Sequence, residues 1–558
     1  MLKNKISEKP NAGALWHLPH SGWAYAVSAE EYRIRFRTAK DDVDGVELIL
    51  YYKYHRDKGP SVFHMTKGFS DGLFDYYGVR LKLSDSHILY LFRIRKGNTV
   101  CYYTENGVSE DDDERFYTYF QCPGINEADV HRKPAWCDKA VFYQIFVERF
   151  RRGDFEKNDG YINAEWSALP QKNGFHGGDI EGIRKSLDYI KELGADCLYL
   201  TPVFSAPSNH KYDTVDYFTV DPIFGTKTAL KALTEDAHKK GMRIILDAVF
   251  NHSGFYAPEF RDVVAKGRNS PYFEWFIVHG DSVDTVNVNY ESFADMGRMP
   301  KWNTGNIAVQ DYLLSVTEKW MRECDIDGWR LDVADEISHV FWRRFRTLVK
   351  SIRQDALIIG EVWYDASGWL KGDEFDSVMN YPFLAACRNY FVFGKDSAET
   401  FAEELSSLLM KNTDTVNGMM LNLLGSHDTE RFFTSVNGNV GKMRCAMAVM
   451  FFYPGMPCIY YGDETGMTGG SDPDCRRGFV WEESEWNREL LITVKMLSGL
   501  KRDFLDDEVK IGSRGDIFIM ERAPYTLLVN NTTDEKTDSK TGTVLPACSF
   551  CVLKSDRK

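Results

Sequence analysis

Two hydrophobic periods divide the chain. Over the first 125 residues apolar positions recur at every second residue: Tyr32, Ile34 and Phe36 alternate with Arg33, Arg35 and Arg37, the signature of a strand with one face buried. Stretches 46–54, 77–83, 88–95 and 100–104 read as further strands, separated by turn clusters such as Lys58-Gly59-Pro60 and Ser70-Asp71-Gly72. This pattern predicts an N-terminal β-sandwich over residues 1–125.

After Pro134 the rhythm changes, and short apolar runs alternate with amphipathic helical stretches. Eight runs stand out, at 140–147, 197–204, 243–250, 328–333, 356–362, 377–383, 418–424 and 457–461, with helical stretches such as 180–193, 227–240 and 337–352 between them. The fold class expected is therefore α/β, a (β/α)8 TIM barrel over 126–501. Residues 253–306 carry little periodicity and read as a subdomain inserted after the third strand. In 502–558, runs at 517–521, 525–530 and 549–553 predict a short C-terminal β-domain.

Composition narrows the partners. The 558 residues carry a formal charge of −14 and no Lys/Arg run, which argues against nucleic acid or an anionic membrane and for an uncharged substrate. The first residues lack the apolar core of a secretory signal. The uncharged stretch 445–462 is broken by Pro454, Gly455 and Pro457, so it reads as a buried helix, a turn and a buried strand rather than a membrane span. Eleven scattered cysteines, of which only Cys548 and Cys551 are close in sequence, suggest reduced thiols in a cytoplasm and no zinc site. Nothing calls for an organic cofactor.

Catalytic groups of a barrel sit where strands end, and ionisable residues gather there: Asp247 to His252 after strand three, Arg330 and Asp332 on strand four, Glu361 on strand five, His427 and Asp428 after strand seven. Arg330 and Asp332 are two apart and share one face, so the guanidinium is expected to hold Asp332 ionised as a nucleophile. Glu361, with Asp428 entering the same mouth, is expected to stay protonated as an acid. An ionised and a protonated carboxyl flanking one bond is what a retaining glycosidase requires. Each carboxylate alone could equally be a structural ion pair.

Asp247-Ala-Val-Phe-Asn-His252, Gly328-Trp-Arg-Leu-Asp332 with the following Val-Ala-Asp-Glu, Gly360-Glu-Val-Trp363 and Leu-Leu-Gly-Ser-His427-Asp428 resemble the four signature segments of the α-amylase family of glycoside hydrolases. Met299-Pro-Lys-Trp-Asn303 is similar to a further segment of its neopullulanase, cyclomaltodextrinase and maltogenic amylase subgroup. The resemblance implies that Asp332 is the nucleophile, Glu361 the general acid/base and Asp428 a transition-state stabiliser. It places His252, Arg330 and His427 against the sugar left of the cleaved bond, with Tyr212 stacked on it. It makes Trp363 a platform on the leaving-group side, and gives Asp472 and Arg476 the next sugar outward. Core packing for Tyr212 and Trp363, and a surface ion pair for Asp472 and Arg476, are the plainer alternatives.

The subgroup's calcium segment resembles the stretch holding Asp154, Asn158, Asp159, Gly177 and Asp179, which offers oxygen ligands of the right kind. Arg152 stands where an asparagine ligand is expected, and its guanidinium could replace the ion's charge. The implied activity is cleavage of α-1,4 bonds in cyclodextrins, pullulan and malto-oligosaccharides by a cytoplasmic homodimer, with some transglycosylation. Competing readings are an oligo-α-1,6-glucosidase and a non-catalytic barrel scaffold.

Overall fold

The computed structural model describes residues 8–111, 116–153, 159–505 and 508–554. Near the N-terminus two antiparallel sheets face each other. One runs in the spatial order Ala24–Ala26, Glu31–Ala39, Phe74–Lys82, Thr66–Ser70; the other runs Ser61–His64, Gly45–Tyr52, His87–Lys96, Thr99–Thr104, Gly107–Ser109, with Phe120–Pro123 also paired to His87–Lys96. Their inner faces bury Ile34, Phe36, Leu48, Leu50, Tyr90 and Phe92 as one cluster, in which Phe36 and Phe92 stack at 4.3 Å. The arginines alternating with these residues leave the sandwich on its other side, where Arg35 is buried against the barrel. It pairs with Asp414 and donates to the Asn412 carbonyl at 2.6 Å.

Eight parallel strands form the barrel: Phe142–Ile145, Cys197–Leu200, Arg243–Ala248, Gly328–Leu331, Leu357–Gly360, Ser377–Val378, Leu421–Leu423 and Met456–Tyr460. Each falls within or overlaps an apolar run of the sequence, as strands covered on both faces must. The sheet closes through a single bridge between Met379 and Leu421. Gly328, which opens the fourth strand, is required by close approach: a Cβ there would lie 2.2 Å from the Leu357 carbonyl oxygen of the fifth. In the register, Asp247 lies directly opposite Arg330, and Arg330 opposite Ile359. The charged strand ends are thereby brought to one level.

Three elements differ from the sequence expectation. The run 377–383 is strand only at Ser377–Val378, because Asn380 caps a helix, Tyr381–Cys387, with Pro382 in its first turn. The stretch 180–193 is two helices, Ile180–Lys185 and Leu187–Glu192, parted at Ser186, whose hydroxyl donates to the Gly182 carbonyl. The insertion between strands three and four contains a helix, Pro258–Lys266, whose nine residues are too few to show a clear period. The stretch 445–462 is helix, turn and strand as expected.

At the C-terminal end Lys510–Arg514, Ile517–Arg522, Tyr525–Asn530 and Ser549–Lys554 form an antiparallel sheet in that order, and Phe518 packs on Phe401 of the barrel helix Ala398–Met410. All eleven cysteines are free thiols. Among the described residues no helix is long and apolar enough to cross a membrane.

Candidate active site

One buried cation organises the barrel mouth. Nη1 of Arg330 lies 3.0 Å from both carboxylate oxygens of Asp247 and 2.9 Å from Oδ1 of Asp332, and Nη2 lies 2.8 Å from Oε2 of Glu361. Asp247 also accepts the hydroxyls of Tyr199 at 2.8 Å and Tyr212 at 2.9 Å. Asp332 and Glu361, 29 positions apart in sequence, thus meet one guanidinium, Asp332 by a hydrogen bond from Nη1 and Glu361 by an ion pair to Nη2.

Three carboxyls on one guanidinium, with Asp428 close by, cannot all ionise freely. Burial pushes Asp247 up to about 6 against the pull of Arg330. Burial pushes Asp332 well above the carboxylate range, with Glu361 and Asp247 adding to the effect. This corrects the expectation that Arg330 alone keeps Asp332 ionised: its attraction is present but outweighed. Glu361 is raised, first by burial and then by Asp428, so the expected direction holds with burial as the larger cause. Asp332 and Glu361 share their counter-ion and titrate as a pair.

Glu361 is held on three sides. Besides Arg330, it accepts the indole N–H of Trp363 at 3.1 Å and the backbone N–H of Val333 at 3.0 Å. Val333 reaches it because its backbone turns into the left-handed region, at φ 44°, which is costly for a β-branched residue and places a donor where the chain leaves Asp332. The Trp363 ring lies 3.7 Å from the Tyr381 ring and 7° from parallel, yet Trp363 is 49% exposed. One face is backed and the other is open to the mouth.

On the opposite side, Asp428 lies 3.1 Å from His427 Nε2 and 3.3 Å from Arg476 Nη2, while Arg476 also pairs with Asp472 at 2.9 Å and donates to the His427 carbonyl at 2.7 Å. Gln144 donates to His427 Nδ1 at 2.8 Å, so the ring proton sits on Nε2, toward Asp428 and the Tyr212 hydroxyl. Burial drives the His427 pKa well down and keeps the ring neutral. His252 is buried, its Nε2 donating to the Tyr212 carbonyl at 3.0 Å and its ring stacked on Phe293 at 5.0 Å. In the structure it braces Tyr212.

The mouth therefore collects Asp332, Glu361, Asp428, Arg330, His252, His427, Tyr212, Trp363, Asp472 and Arg476. It also contains groups to which sequence reasoning assigned no role: Asp247, Tyr199, Gln144 and Tyr381. Asp247 had a signal, a lone carboxylate ending the apolar run Ile244-Ile-Leu246. Gln144, Tyr199 and Tyr381 sit inside apolar runs and look like core.

The candidate calcium segment is separate. Asp154 and Asn158 lie outside the described residues, and Asp159 is exposed. Asp179 caps the helix Ile180–Lys185: its carboxylate accepts the backbone N–H of Gly153 at 2.9 Å and of Gly182 at 2.8 Å. Arg152 donates to the His176 carbonyl at 2.6 Å, and its Nε is 3.2 Å from where a Cβ of Gly177 would stand. Among the described donors, Arg152 thus brings a positive charge beside Gly177, and the Asp179 carboxylate is engaged by backbone amides.

The fold and the carboxylates around Arg330 define a glycosidase-type barrel, and comparison with known proteins agrees. The alpha amylase catalytic domain matches residues 144–504, and the alpha amylase N-terminal ig-like domain matches 11–126. The chain belongs to the α-amylase family of glycoside hydrolases. It falls in that family's cyclomaltodextrinase, maltogenic amylase and neopullulanase subgroup. It is 43% identical over 512 residues to a cyclomaltodextrinase of Thermoanaerobacter pseudethanolicus, covering 91% of this chain and 89% of that one. It is 44% identical over 496 residues to neopullulanase 2 of Thermoactinomyces vulgaris, covering 88% and 84%. A solved cyclomaltodextrinase structure superposes with a TM-score of 0.90 at 38% identity, covering 94% of this chain and 92% of that one.

Proposed function

We propose that the enzyme hydrolyses α-1,4 bonds of cyclodextrins, pullulan and short malto-oligosaccharides with retention of configuration. The observation that carries this reading is the single Arg330 fork bridging Asp332 and Glu361. A nucleophile and an acid that meet at one guanidinium can serve the same anomeric carbon, as a retaining enzyme requires.

In the first step Glu361 gives its proton to the glycosidic oxygen while an Asp332 oxygen bonds to the anomeric carbon, and the C–O bond to the leaving sugar breaks. In the second, Glu361, now ionised, takes a proton from water, whose oxygen displaces Asp332 and leaves an α-configured product. The pair thus needs one proton at the start, and burial, which raises both carboxyls, favours keeping it there. Asp428 stabilises the positive, flattened ring by its charge, Arg330 holds Asp332 in line for attack, the neutral His427 orients Asp428 and the Tyr212 hydroxyl from Nε2, and Tyr212 offers its ring to the apolar face of the sugar. Asp472 and Arg476 hold the next sugar outward, and the open face of Trp363 receives the leaving-group side. His252 acts by holding Tyr212. When another sugar replaces water in the second step, the product is a transglycosylated glucan.

We further propose a cytoplasmic homodimer, in keeping with the free thiols, and assign the charge at the calcium cradle to Arg152. The decisive experiment is a product profile on β-cyclodextrin, pullulan and isomaltose, with the released anomer read by NMR. Turnover of the first two giving α-anomers is expected. Turnover of isomaltose alone points to an α-1,6-glucosidase, β-anomers overturn the covalent step, and no turnover of any substrate overturns catalysis.

A further inference from the structure

Lys211, the residue before Tyr212, is built unlike a loop lysine. It is 1% exposed, and its Nζ donates to the Ala206 carbonyl at 2.7 Å and pairs at 2.6 Å with Asp221, which is also buried. Asp221 is itself fixed, accepting the backbone N–H of Ala206 at 3.0 Å and of Ile223 at 3.0 Å. The Phe175 and Phe224 rings lie 5.9 Å and 5.3 Å from the ammonium. The Lys211 backbone has φ 66°, a left-handed conformation that a lysine keeps only when its surroundings impose it. The buried ion pair supplies that imposition.

The backbone around Lys211 is tied on the other side as well. Thr214 donates its hydroxyl to the Lys211 carbonyl at 3.0 Å, and the Gly254 N–H donates to the Thr214 carbonyl at 2.7 Å. Gly254 must lack a side chain, since a Cβ would lie 2.2 Å from the Asp213 carbonyl oxygen. Tyr212 thus turns its hydroxyl to Asp247 and His427, while the neighbouring Lys211 side chain is buried against Ala206 and Asp221.

We propose that Lys211 is a positioning residue for catalysis: its buried tie to Asp221 and the Ala206 carbonyl sets the depth and tilt of the Tyr212 ring on which the sugar stacks. This rests on the reading of Tyr212 as the stacking platform. A displacement of about 1 Å at such a group costs on the order of a hundredfold in rate.

The test is a double-mutant cycle on β-cyclodextrin hydrolysis, with thermal unfolding of each variant as the check on folding. Lys211→Met is expected to lower kcat/KM about tenfold to a hundredfold, and Tyr212→Ala by at least as much. Their combination should stay within about threefold of Tyr212→Ala alone, because Lys211 acts through the ring. Lys211→Gln, which keeps a donor for the Ala206 carbonyl, takes the place of the methionine variant if that one does not fold. A folded Lys211 variant at the wild-type rate, or losses that multiply in the double variant, overturns the proposal. A wild-type rate in Tyr212→Ala instead overturns the platform reading beneath it.

Discussion

The indole N–H of Trp363 donates to Oε1 of Glu361 at 3.1 Å, so the side chain that offers a flat face to the mouth also bonds the acid. That hydrogen bond favours the ionised carboxylate and holds the Glu361 pKa below where burial alone would put it. Trp363→Phe keeps a ring against Tyr381 and removes the donor. The basic limb of the kcat/KM profile, which marks loss of the acid's proton, should move to higher pH by up to about one unit, since such a bond is worth about 1 kcal/mol. A limb that stays in place, or moves down, contradicts the assignment of Glu361.

Asp332→Asn and Glu361→Gln should each lower kcat by about a thousandfold or more. The stability of the first variant carries a sign. The folded-state pKa of Asp332 lies above its unfolded value, so its contribution is full below about pH 4 and is lost as pH rises through the folded value. Asp332→Asn should therefore unfold at a higher temperature than wild type at pH 7, with the gap closing toward pH 4. Calorimetry across that range checks it.

Asp376 makes the opposite case. It is wholly buried, and although burial raises its pKa, His131, Lys350 and Arg346 outweigh this and hold it below the ordinary carboxylate range. Its stabilisation is present above about pH 4 and is lost as pH falls through the folded value. Asp376→Asn leaves Arg346 and Lys350 without their shared charge, each 2.7 Å from it in the wild type. The expected loss at pH 7 is about 3 kcal/mol, shrinking in acid, as measured by urea unfolding at several pH values.

If Arg152 supplies the charge at the candidate calcium segment, as proposed, a chelator should change neither turnover nor melting temperature. Arg152→Met should lower the melting temperature in buffers with and without calcium. A chelator-induced fall in the wild-type melting temperature would show that the cation is needed.

The barrel was legible because its strands are buried on both faces and so read as apolar runs. Asp332, Glu361 and Asp428 were legible because a carboxylate ending such a run is conspicuous. Gln144 and Tyr199 were not: they lie within the runs Phe142–Ile145 and Cys197–Leu200, and only the closed barrel turns them toward His427 and Asp247. The direction of the Asp332 shift is not legible because adjacency along a strand reveals Arg330 but neither the depth of burial, which is the larger cause, nor Glu361 and Asp247, which arrive from neighbouring strands. The helix Tyr381–Cys387 was hidden because its first residues continue an apolar run, and Asn380 starts it through a cap rather than a change of period.

The closing bridge between Met379 and Leu421 leaves the ring of strands stitched unevenly. Most neighbouring strands share a ladder of backbone hydrogen bonds, whereas this seam has one bridge reinforced by side chains, Ser377 donating to the Met419 carbonyl at 2.6 Å and Asn380 to Asn422 at 2.8 Å, and Tyr381, whose ring backs Trp363, follows directly after Asn380. Amide exchange should find the seam the first part of the cylinder to breathe.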